Sequence, residues 1–108
     1  MKIENNIRII ELIDTYGNLL TSRQFDIMSS YFFDNLSLSE IGDNYSISRQ
    51  AVSDSINQSI RSLETYEEKL QIRDKETRLI AQLQELMTEN NAQDLKNKIK
   101  SIIDDIRG

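Results

Sequence analysis

Six side chains near the middle of this 108-residue chain carry donors and acceptors at spacings suited to one end of a helix: Arg49, Gln50, Ser53, Asp54, Asn57 and Arg61. Arg49 and Gln50 offer the most specific chemistry. A guanidinium can bridge guanine O6 and N7, and a carboxamide can bridge adenine N6 and N7, whereas the carboxylate of Asp54 can only accept, for example from cytosine N4. These residues are therefore candidates for base and phosphate contacts in the major groove of double-stranded DNA, with Ser53, Asn57 and Arg61 beside the leading pair. The alternative for Arg49 and Gln50 is that they are solvated first-turn residues.

Other chemistries find little material. The chain has no His, no Cys and no Gly-rich phosphate loop, so the common nucleophile–base pairs, zinc sites and nucleotide cradles are missing. The expectation is a protein that is not an enzyme, with no catalytic residue, no metal and no cofactor. Asp104 and Asp105 are adjacent but about 100° apart on a helix, and Lys96 and Lys100, which share a face, read as solvated. A net charge of -5 argues against non-specific attachment to nucleic acid or anionic membrane, because phosphate neutralisation needs clustered cations. A dimer could still concentrate a few cations on one face. No apolar run approaches the roughly 20 residues of a membrane span, and MKIENNIRII lacks the apolar core of a signal peptide. A cytoplasmic location without membrane association is expected.

The elements that must hold these side chains are helical. Absent Pro, scarce Gly and an abundance of Leu, Ile, Glu, Lys, Gln and Arg predict an all-α fold. Ile3, Ile7, Ile10 and Ile13 recur at helical spacing, widened by Ile9, Leu12 and Tyr16, and Gly17 marks a stop. Thr21 and Gln24 have capping-box spacing, with Leu20 and Phe25 as a hydrophobic staple, which predicts a second helix from about Ser22 to Phe33. Its Phe25, Ile27, Met28, Tyr31 and Phe32 read as core in preference to a base-stacking platform, since such platforms usually lie on sheets.

The same signature recurs at Ser37 and Glu40, with Leu36 and Ile41 as the staple. Gly42 permits close helix approach, Asn44, Tyr45 and Ser46 supply turn chemistry, and Ser48 caps the next helix. Residues 37–58 thus read as a helix-turn-helix, with Ile41, Tyr45, Ile47, Val52 and Ile56 inward and Gln50, Asp54, Gln58 and Arg61 outward.

In order and spacing, LTSRQ, LSLSEIG and SISRQAVSD, followed by SIRSLETYEEKL, resemble the C-terminal DNA-binding region (region 4) of sigma factors, and most closely the small YlxM-type family of helix-turn-helix proteins. The motifs span Leu20 to Leu70, about half the chain. The resemblance implies a DNA-binding transcriptional regulator connected with the signal recognition particle pathway, and places base reading on Arg49, Gln50 and Asp54. Ala51 and Ser53 stand where promoter-reading sigma factors tend to carry basic residues. The competing implication is an accessory factor that contacts signal recognition particle components and keeps the helix-turn-helix as scaffold.

The organisation expected is a helix-turn-helix domain over residues 1–72 and a helical C-terminal extension over 73–108. Ile60, Leu63, Tyr66 and Leu70 prolong the second motif helix, with a break near Arg73-Asp74-Lys75. Leu79, Leu83 and Leu86, with Ile72, Ile80 and Met87, form one further stripe, and Leu95, Ile99, Ile102, Ile103 and Ile106 form another beyond Thr88-Glu89-Asn90-Asn91. Either the extension completes the core of its own chain, or it forms a homodimer interface that sets two reading helices roughly 34 Å apart.

Overall fold

The computed structural model describes residues 3–108, with side chains from Asn6 onward. Six helices make up its regular structure: α1 Ile3–Tyr16, α2 Ser22–Phe32, α3 Leu38–Tyr45, α4 Arg49–Leu70, α5 Ile72–Leu86 and α6 Ala92–Arg107, with a short 3-10 turn at Gly17–Leu19. No strand occurs among the described residues. The chain divides into two compact units, Met1–Gln71 and Ile72–Gly108.

Local chemistry starts the helices of the first unit. Thr21 accepts from the Gln24 backbone N–H while the Gln24 side chain accepts from the Thr21 N–H, and Ser37 and Glu40 make the same reciprocal pair. Each box satisfies two N–H groups that a helix start otherwise leaves open. Ser48 caps α4 by accepting from Ala51 N–H at 3.0 Å. The second helix ends at Phe32, one residue earlier than its pattern predicts, and Phe33 is exposed.

The first core forms around α4. Val52, Ile56, Ser59 and Leu63 recur on one face and are buried, in the same core as Ile9, Leu12, Ile13 and Tyr16 of α1, Ile27 and Met28 of α2, and Ile41 of α3. Helix α4 contacts all three. The buried line of α1 is therefore the one expected only to widen the stripe, joined by Ile13. Ile7 is 54% exposed and Ile10 half-buried, while the Ile3 side chain lies outside the described residues. Two adjacent lines of apolar residues exist on α1, and packing against α4 selects between them.

Polar contacts reinforce that packing. Arg8 donates to both carboxylate oxygens of Glu64, and the Tyr16 hydroxyl donates to Glu67 Oε1 at 2.6 Å. Both acceptors lie in the second half of α4, beyond the length that the helix-turn-helix alone requires. The helix ends at Gln71, which adopts the left-handed conformation with φ 55° and donates its N–H to Glu67 O. The break thus precedes Arg73-Asp74-Lys75, which lie inside α5.

In the second unit, Asn91 caps α6 by accepting from the N–H groups of Gln93 and Asp94. Lys98 pairs with Glu85 and Glu89, while Gln82, farther from the connection on α5, donates to Asp105, farther along α6. This order of partners makes α5 and α6 an antiparallel hairpin.

Candidate nucleic-acid interface

The turn between α3 and α4 fixes how α4 is presented. Ser46 takes the left-handed conformation at φ 57°, and Ile47 donates its N–H to Gly42 O at 2.9 Å. A Cβ on Gly42 would stand 2.7 Å from Ile47 O, so only glycine allows the chain to return this closely over α3. Ile41 and Val52, on either side of the turn, are fully buried. Tyr45 and Ile47 pack against the same core.

With the inward face of α4 fixed by Val52, its outward face follows from helix geometry. Gln50, Asp54, Asn57 and Arg61 lie about 140° to 200° around the helix from Val52. All four are exposed, as is Arg49 at the first turn. Asn57, expected beside the line, lies on it. Ser53 is half-buried, about 100° from Val52, which leaves it at the flank of the exposed face.

The exposed line is partly organised already. Gln50 Nε2 donates to Asp54 Oδ1 at 2.9 Å, the i to i+4 pairing of neighbouring turns. One amide hydrogen is committed to this bond, while the carbonyl oxygen and the second hydrogen stay available for the bidentate pattern that adenine requires. Asp54 thus acts on Gln50 as well as presenting a carboxylate of its own. Farther along α4, Gln58, Arg61, Ser62, Thr65 and Tyr66 border an open groove of about 360 Å³.

Arg23 is the residue that motif reading passed over. Its guanidinium donates to Tyr45 O at 3.2 Å and lies 5.4 Å from the centre of the Tyr45 ring. The first turn of α2 therefore brings a cation to the end of α3, beside the turn that leads into α4. Among the described residues no ion pair involves Arg23, Arg49 or Arg61. The one sequence cue was an arginine inside the Thr21 capping box; nothing in its spacing announces Tyr45.

Other site types lack their ingredients. Among the described residues no cluster of three or more His, Cys, Asp or Glu could hold a metal ion, and no helix is long and apolar enough to cross a membrane. The Glu40 carboxyl is held below its ordinary pKa because it accepts from the Ser37 backbone N–H.

A helix-turn-helix with a glycine-tight turn followed by a 22-residue helix agrees with the family comparison. The family model UPF0122, helix-turn-helix proteins of the YlxM / p13 like type, matches residues 3–104. The chain belongs to the UPF0122 family. Among its relatives, a UPF0122 protein of Clostridium perfringens (strain 13 / Type A) is 40% identical over 104 residues, covering 95% of this chain and 93% of the relative. One from Shouchella clausii (strain KSM-K16) is 42% identical over 100 residues, covering 90% and 92%. A third, from Bacillus cereus (strain AH187), is 38% identical over 107 residues, covering 96% of each chain. The match to this family spans both compact units, so the α5–α6 hairpin belongs to the family pattern as much as the helix-turn-helix does.

Proposed function

We propose that this protein is a cytoplasmic, non-catalytic transcription regulator that binds double-stranded DNA, in the manner of sigma factor region 4, by laying the N-terminal half of α4 in the major groove. The observation that supports this reading is the exposed line of Gln50, Asp54, Asn57 and Arg61 diametrically opposite the buried line of α4, with Arg49 at its leading end. In this reading Arg49 and Gln50 touch base edges, Asp54 orients Gln50, and Asn57, Arg61 and Ser53 contact backbone or flanking bases. Two copies joined through the C-terminal helices bind a two-fold symmetric site. A single head has few cations, so pairing supplies affinity that one α4 lacks.

A second reading has one observation in its favour. Before Lys69 in its last turn, α4 carries only two cations, Arg49 and Arg61, beside Asp54, in a chain of net charge -5. On that reading the helix-turn-helix is a scaffold for contacts with proteins of the signal recognition particle pathway. The two separate in one experiment: selection of bound fragments from genomic DNA at low and at physiological salt. The regulator reading expects enrichment of a recurring sequence and binding that weakens steeply with salt. No enriched sequence at either salt would sink it and leave the scaffold reading.

A further inference from the structure

The second unit is a hairpin of fewer than about 40 residues, a size at which chains usually need a disulfide, a metal or a partner to stay folded. This one has no cysteine, and Ile102, 8% exposed, is its one buried hydrophobic side chain. Large apolar side chains remain in water: Ile80 is 55% exposed, Leu83 48%, Met87 86%, Ile99 41%, Ile103 44% and Ile106 68%.

Their arrangement on the hairpin is ordered. On α5, the half-buried Leu79 and Leu86 lie on one line, and Leu83 and Ile80 lie about 40° and 100° from Leu79 in one rotational sense, with Met87 the first residue past the helix end. On α6, Leu95 and Ile102 lie on one line, and Ile106, Ile99 and Ile103 lie about 40° to 100° from Ile102 in the same sense. In an antiparallel pair related by a two-fold axis perpendicular to the hairpin plane, equal offsets in the same sense bring both sets to the same side. Each apolar stripe is thus split, one flank joining α5 to α6 and the other forming a continuous two-helix face.

We infer that this face, formed by Ile80 and Leu83 of α5, Met87 just past its end, and Ile99, Ile103 and Ile106 of α6, binds the same face of a second copy, so that two hairpins close into a four-helix bundle. The inference deepens the dimer half of the function proposed above by naming the surface. A second copy is the occupant for two reasons. The six side chains expose on the order of 600 Å² of apolar surface, the upper end for a monomer and close to the roughly 800 Å² per partner of a stable interface once flanking aliphatic stems are added. A flat two-helix face doubled by a two-fold axis also gives each hairpin the second layer that it lacks, with the shallow crossing common in such bundles.

Sedimentation equilibrium of the full chain without DNA, across a wide concentration range, tests the inference. The wild-type chain is expected to approach about twice its 12.6 kDa mass at micromolar concentration. The pair Leu83→Lys and Ile103→Lys should raise the dimer dissociation constant at least tenfold, while Ile7→Lys, on an exposed residue of α1, should leave it unchanged. A wild-type mass of 12.6 kDa at every concentration overturns the inference whether or not the variants fold. A dimer insensitive to the paired lysines, with helicity and melting retained, also overturns it, because the interface then lies elsewhere. Since mass is read without DNA, a dimer that enriches no DNA sequence would keep this inference and lose the DNA reading.

Discussion

At the scale of single residues, Arg49 and Arg23 are both arginines outside any ion pair among the described residues, yet their surroundings assign them different work. Arg49 stands at the exposed leading turn of α4, free to reach a base edge, whereas Arg23 is anchored to Tyr45 by a hydrogen bond and its ring. A guanidinium tied to backbone at the edge of the turn suits a phosphate. Arg49→Ala should therefore weaken binding to the selected site by about 1 to 3 kcal/mol and relax the preference at one base pair. Arg23→Ala should weaken selected and scrambled DNA alike and lower the salt slope by roughly one. Titrations of both variants on both DNAs at several salt concentrations check this, and equal loss of sequence preference would refute the division. Arg49 was legible in the sequence because its position follows from the cap two residues upstream of Gln50. Arg23 was not, because its partner is 22 residues away and only the packing of α2 beside α3 joins them. Ser59 is a further residue that the sequence does not explain: it is fully buried, and its Oγ finds no hydrogen-bond partner. Removing an unsatisfied buried hydroxyl lifts its desolvation cost, so Ser59→Ala should be neutral or stabilise by up to about 1 kcal/mol in chemical denaturation.

At the scale of elements, α3 and its two junctions decide where α4 points. Adding a methyl group at Gly42 drives it against Ile47 O, a backbone atom that can move only by displacing the start of α4. Gly42→Ala should cost about 1 to 3 kcal/mol of stability and weaken DNA binding beyond the effect on folding. At the other end of α3, the Glu40 carboxylate is favoured by the Ser37 N–H and hydroxyl, which lowers its folded pKa below the ordinary glutamate value. Its stabilising contribution is therefore fully present above the ordinary value and disappears as pH falls through the lowered one. Glu40→Gln should melt below the wild type at neutral pH, with the difference shrinking under acid. A difference independent of pH would contradict the charge-assisted cap. The three capped starts of the first unit were legible because a cap is chemistry between residues three apart. The end of α4 was not: Gln71 takes a left-handed conformation more typical of glycine or asparagine, so no local signal separates it from the charged residues that follow. The α1 stripe fell between these cases, since periodicity identifies a helix but two neighbouring apolar lines leave the buried one to the partner.

At the scale of the whole molecule, the two units differ in how much each can sustain alone. The first buries a continuous core from four helices, fastened by Arg8 to Glu64 and Tyr16 to Glu67, and includes every candidate DNA contact. The second leaves most of its large apolar side chains exposed. A fragment of residues 1–71 is accordingly expected to fold cooperatively as a monomer with α4 correctly presented. Its DNA binding then isolates the value of pairing. If the hairpin joins two heads, the second head binds at an effective concentration set by the linkage, and a two-fold symmetric site gains about 10² to 10⁴ over a half-site. The fragment should match the full chain on an isolated half-site and lose at least about 100-fold on the symmetric site. Fluorescence titration of both proteins on both DNAs measures this. Equal affinities for the symmetric site would detach the hairpin from DNA recognition, even if the full chain dimerised, because paired heads would then contribute nothing that one head lacks.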